Sequence, residues 1–211
     1  YLLPNSLTDF SSSIFFSTLF TSNFFFSNVG HDYGDVLSVT KPFLHTWSLS
    51  VEEQFYILYP LFFFCCFKFI KDKLILLLIF ISLLSLALAQ YGSNNFSISN
   101  FYLLPTRIWE IFCGAILVVM NGNENNNKLS KDILSYIGLA LVILSFYFFT
   151  DDTLHPSFKT VIPVFGTMLV IRFSNNNFIS RFLSHKLLVF IGLISYSLYL
   201  WHYPIFSFSE M

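Results

Sequence analysis

The stretch KLILLLIFISLLSLALA, residues 73–89, carries a single charge, Lys73, and never alternates between apolar and polar positions. A helix pairs its own backbone groups, so a run of about 20 such residues suits the roughly 30 Å hydrocarbon core of a bilayer. A strand of a membrane barrel would alternate instead. Comparable runs recur at about 53–70, 102–120, 133–150, 158–173 and 187–207, giving six expected spans with 74–91. A seventh stretch, FSSSIFFSTLFTSNFFFS at 10–27, is apolar but rich in Ser and Thr, and either spans or lies at the interface as a short helix. The expected fold is all-α, a polytopic transmembrane helical bundle, with residues 1–211 forming a single membrane domain.

Composition excludes the ordinary alternatives. Charged residues make up 11% of the chain and hydrophobic ones 55%, with 29 Phe; soluble domains carry about 25% charged residues. A net charge of −1 leaves no basic patch to neutralise phosphates, which excludes a nucleic-acid partner. Cys65, Cys66 and Cys113 fall inside apolar runs without a CxxC or other ligand spacing, so they read as small hydrophobes and no metal is expected. The sequence opens on Tyr1 without a basic leader and reads as the middle and later part of a longer protein. Positive charge orients a bundle. Lys68, Lys71, Lys73, Lys128, Lys131, Arg172, Arg181 and Lys186 occupy alternate loops and should be cytoplasmic. The other loops hold only Lys41 and Lys159, beside Asp9, Asp32, Asp35, Asp151 and Asp152.

One polar stretch interrupts this pattern. HTWSLSVEEQFYILYP, residues 45–60, sets a histidine, adjacent carboxylates, three hydroxyl-bearing Ser and Thr residues and two phenols at the mouth of an apolar run. Ser50 followed three residues later by Glu53 is the pattern of a capping box, so these two are expected to form a structural cap. Glu52 is left over, on a strip with Tyr56 and Tyr59. An ionisable group in a membrane helix is a candidate for function. His45 and Ser48 lie within a turn or two and complete the parts of acid–base chemistry. No nucleophile elbow, HExxH or glycine-rich phosphate loop occurs in the sequence.

The same stretch resembles the hallmark of the membrane acyltransferase 3 family, integral-membrane O-acyltransferases that modify cell-envelope sugars. FYLLPTRIWEIFCGAIL at 101–117 is similar to the family's Arg-x-Trp-Glu-Leu segment, with Ile111 in place of Leu, and IGLISYSLYLWHYPIF at 191–206 is similar to its late segment ending in Trp-His-x-Pro. The three stretches stand in the family's order and YLLPNSL at 1–7 fits as well, so the resemblance covers nearly the whole chain. The family's first membrane helix, which bears a histidine, is not represented in these residues.

The resemblance implies transfer of an acyl group, acetyl above all, from an acyl-CoA co-substrate to a hydroxyl of an envelope polysaccharide or lipopolysaccharide, in the bacterial inner membrane and with no bound cofactor. Carried over by position, it points to Glu52 and His45 as catalytic. Trp47, Ser48, Gln54, Tyr56, Arg107, Glu110, Tyr199 and His202 are expected to bind substrate or line a cavity. Arg107 and Glu110 have ion-pair spacing on one helix face. The competing reading is a transporter or flippase, in which the same charges would line a permeation path. That reading predicts inverted repeats, and none is visible in the sequence.

Overall fold

The computed structural model describes residues 4–29, 40–70, 73–120, 128–150 and 153–210. Asp32, Asp35, Lys71, Asp151 and Asp152, used above for orientation, lie outside these ranges. Every regular element among the described residues is helical: α1 (Pro4–Thr18), α2 (Ser22–Val29), α3 (Thr46–Ile70), α4 (Leu74–Asn95), α5 (Ser97–Tyr102), α6 (Ile108–Val119), α7 (Lys128–Phe148), α8 (Val161–Phe173), α9 (Phe178–Leu183) and α10 (Lys186–Glu210). Short 3-10 turns at Leu104–Thr106 and Phe158–Thr160 precede α6 and α8.

Among the described residues three helices, α4, α7 and α10, are long and apolar enough to cross a membrane, matching three of the six expected spans. The spans expected at 102–120 and 158–173 are shorter than that. Pro105 has no amide hydrogen and its ring crowds the preceding turn. The first run is therefore broken into α5, a 3-10 turn and a 12-residue α6. The second begins as a 3-10 turn held by a capping box between Ser157 and Thr160, which leaves 13 residues for α8. At 1.5 Å per residue these helices reach about 18–20 Å, short of a bilayer core. The stretch at 10–27 is divided between α1 and α2. Phe20 takes a left-handed φ of 53° between them, which a helix does not accommodate.

The chain packs as two compact units. One comprises residues 1–65, 98–104 and 191–211; the other comprises 66–97 and 105–190.

In the first unit, α3 presents three strips at i, i+4 spacing. Trp47, Val51 and Phe55 are all buried, with Trp47 set against Phe101 and Tyr102 at ring separations of 4.7 and 5.4 Å. Thr46, Ser50 and Gln54 form a polar seam with α1 and α2. Thr46 Oγ1 lies 2.8 Å from Ser17 Oγ and 3.1 Å from Ser22 Oγ, and Ser50 Oγ lies 2.7 Å from Ser22 Oγ. The Gln54 amide donates to Asn23 Oδ1 at 2.8 Å and to the Phe20 carbonyl at 2.9 Å.

The second unit is built on backbone proximity. A Cβ placed on Gly138 of α7 would stand 2.6 Å from the Gly166 carbonyl oxygen of α8, and one on Gly166 would stand 2.8 Å from that of Gly138. Small residues let helices approach this closely where lipid removes the hydrophobic drive to associate. Asn177 caps α9 through the Ser180 amide and also donates to the fully buried Ser135 of α7 at 2.7 Å. Ser85 of α4 accepts from the Trp109 amide at 3.3 Å and donates to the Pro105 carbonyl at 2.6 Å. It thereby supplies from a neighbouring helix the cap that Arg107, at the N-cap of α6, does not provide.

Candidate functional site

The third strip of α3 carries the chemistry. It starts at Ser48, and Glu52 and Tyr56 follow at successive turns. Tyr199, on α10, donates its phenol proton to the carbonyl of His45, just before α3. With that one proton committed, the short contact between Ser48 Oγ and Tyr199 Oη has Ser48 as donor. Tyr199 is thus a latch from α10 to the start of α3.

Above the latch sits an imidazole cluster. His45 is 1% exposed. Its ring lies 5.5 Å from that of Tyr203, nearly parallel, and 5.3 and 5.5 Å from Tyr199 and His202, edge to face. Neither His45 nitrogen makes a hydrogen bond of regular geometry, although the Pro42 and Leu200 carbonyls face the ring. Burial, and then the neighbouring His202, lower the His45 pKa to about 4, so the ring is neutral at pH 7. His202 is half-buried, and its Nδ1 lies 2.6 Å from the Tyr199 carbonyl oxygen. A carbonyl only accepts, so Nδ1 carries the proton and the neutral ring keeps its lone pair on Nε2.

The structure therefore brings His45, Ser48, Tyr199 and His202 together and separates them from several residues expected beside them. Ser50 and Glu53 form no cap. The helix begins at Thr46, so Ser50 is already a full turn inside it, and its hydroxyl is bound to Ser22. The expectation treated the start of the apolar run as the start of the helix. Gln54 and Trp47 are engaged elsewhere: the amide is spent on Asn23 and Phe20, and the indole is 8% exposed within the core. Tyr56 is 60% exposed on the outer surface. Glu52 is exposed, one turn along α3 from the Ser48–Tyr199 contact. Tyr203 was not singled out from the sequence. Its spacing of four from Tyr199 in the quoted late segment places both on one helix face.

The second unit holds Arg107 and Glu110, paired at 3.6 Å with side chains 11% and 22% exposed. Two charges this far from water are retained where their mutual attraction offsets dehydration. Glu110 heads a cavity of about 310 Å³ between α6 and α8. Gly114 and Leu117 follow on one wall, with Pro163, Thr167 and Met168 opposite, so a single carboxylate borders an otherwise nearly apolar slot. At Gly114 a Cβ would meet nothing within 4 Å. Among the described residues no group of His, Cys, Asp and Glu could hold a metal ion.

Residues 10–211 match the profile of a family described as an acyltransferase domain. Among curated proteins the chain is similar to O-acetyltransferase OatA of Staphylococcus aureus, 31% identical over 205 residues, which cover 90% of this chain and 33% of the relative. It is similar to peptidoglycan O-acetyltransferase OatA of Listeria monocytogenes, 28% identical over 219 residues, 97% of this chain and 35% of the relative. A putative O-acetyltransferase of Staphylococcus aureus, SACOL0978, is 30% identical over 181 residues, 79% of this chain and 30% of the relative. The chain thus spans about a third of the length of the curated relatives it matches. No solved structure matches it.

Proposed function

This chain belongs to the membrane acyltransferase 3 family, and from that membership we propose that it transfers an acetyl group from an acyl-CoA donor to a hydroxyl of a cell-envelope carbohydrate. Peptidoglycan is the favoured acceptor, because a relative aligned over nearly the whole chain carries peptidoglycan O-acetylation in its name. The observation that carries the reading is the meeting of an imidazole pair with the Ser48–Tyr199 hydroxyls where α3 begins against α10. A sugar hydroxyl ionises far above pH 7 and needs a positioned base, worth about 10²–10⁴ in rate. Glu52, one turn along α3 from Ser48, is given the role of balancing the charge of an imidazolium formed in the cluster. Arg107, in the second unit, offers a guanidinium to an anionic group of the donor. The slot beside Glu110 suits an extended, uncharged arm.

In this reading the protein sits in the bacterial inner membrane with its basic loops cytoplasmic. α3, 25 residues long, makes a fourth crossing, and the shorter α6 and α8, each extended by the turn that precedes it, make the two further crossings that cytoplasmic basic loops require, with the bilayer thinned around them. Membranes containing the protein are incubated with labelled acetyl-CoA and peptidoglycan. The expected result is alkali-labile label in the glycan, lost in Glu52→Gln and kept in Glu53→Gln at equal protein level. Absence of label from every envelope carbohydrate, with solute flux across the same vesicles, sinks the reading and favours a transporter.

A further inference from the structure

We propose that Gly114 is a specificity-determining residue for the donor: it keeps the slot between α6 and α8 clear for the neutral arm of a CoA thioester. This rests on the acyl-transfer reading and names the part of the donor that the slot takes. A glycine inside a helix is destabilising relative to alanine, so its presence there asks for a reason. Close approach of helices is the reason at Gly138 and Gly166, where a Cβ would stand 2.6 and 2.8 Å from a backbone oxygen. At Gly114 a Cβ would meet nothing within 4 Å. What the missing side chain leaves open is the slot itself, which Gly114 lines between Glu110 and Leu117.

The dimensions and chemistry of the slot fit that arm. Along α6 it runs from Glu110 to Leu117 and along α8 from Pro163 to Ile171, about 10–12 Å at the rise of a helix. The arm between the diphosphate of CoA and its sulfur counts the same chain bonds as four residues of extended backbone, about 14 Å. The slot therefore houses most of it. The arm is uncharged and sets methyl and methylene groups beside two secondary amides. The walls answer both. Thr167 donates its proton to the Pro163 carbonyl at 2.8 Å, within its own helix, so the α8 wall offers no hydroxyl proton to a ligand. Glu110 borders the slot, and its Oε1 is buried without a hydrogen bond among the described residues. A buried acceptor left unmet is costly, and an amide N–H of the arm is the donor it lacks. The hydrocarbon chain of a lipid brings no such group.

The test uses the full-length protein in nanodiscs with acetyl-CoA and a peptidoglycan fragment. Gly114→Ala is expected to raise the KM for acetyl-CoA about tenfold and Gly114→Leu about 10²-fold, with the KM for the acceptor unchanged. Inhibition by free CoA should weaken in the same proportion. Inhibition by adenosine 3′,5′-bisphosphate, which lacks the arm, should not change. The unfolding midpoint of Gly114→Ala should hold or rise, because the helix gains and nothing is displaced. Donor kinetics left unchanged by Gly114→Leu overturn the assignment, whether or not a co-purified lipid is lost from the variant. So does a fallen midpoint with both KM values raised, which makes Gly114 a packing residue, and so does equal weakening of the armless nucleotide. A wild type that acetylates nothing defeats the acyl-transfer reading and this inference with it. An active wild type whose donor kinetics ignore Gly114→Leu defeats this inference alone.

Discussion

His45 titrates where its surroundings least welcome charge. Its pKa is lowered to about 4 in the folded protein, against about 6.5 for an unconstrained histidine. Between those values the unfolded chain binds the proton and the folded one does not, so stability is full above about pH 6.5 and falls as pH drops toward 4. His45→Phe should flatten that loss, and thermal unfolding in detergent between pH 4 and 7 compares the two slopes directly. The Arg107–Glu110 pair obeys a different rule. Removing one partner strands the other charge in a poorly hydrated place, so Arg107→Leu should cost about 3 kcal/mol. The double change Arg107→Leu, Glu110→Leu should recover most of it, and unfolding midpoints of the three variants read the coupling.

At the level of elements, α4, α7 and α10 were legible because hydropathy alone specifies a helix that crosses lipid. α6 and α8 were not, because their starts are set by Pro105 and by the Ser157–Thr160 box, small local signals inside longer apolar runs. The start of α3 was misplaced for a related reason. Ser50 reads as a cap, but Ser22, 28 positions earlier, claims its hydroxyl, and a partner that distant leaves no trace in local spacing. The candidate site was half legible. Motif order pointed to His45, Ser48, Tyr199 and His202, while the burial that distinguishes one imidazole from the other exists only once α10 meets the start of α3. The cap on α6 is equally non-local. Ser85→Ala removes the acceptor of the Trp109 amide and should cost about 1 kcal/mol. Its unfolding midpoint should fall, whereas that of Ser82→Ala, whose hydroxyl bonds only its own helix at Leu78, should hardly move.

For the molecule as a whole, the charge pattern makes a prediction that hydropathy does not. Single cysteines placed at Thr153 or Leu154, in a protein whose native cysteines are replaced by Ser, should react with an impermeant maleimide on intact cells. Those at Asn175 or Asn176 should react only after permeabilisation, and the reverse result would invert the topology. The seam joining α1 and α2 to α3 has a further bearing on how this protein meets its surroundings. It consists of Ser17, Ser22, Asn23, Thr46, Ser50 and Gln54, hydroxyls and amides throughout. None gains or loses a proton in any habitable medium. Acid that charges His45 therefore leaves these joints unprotonated, and the grip of α1 and α2 on α3 is indifferent to the change that loosens the ring beside it.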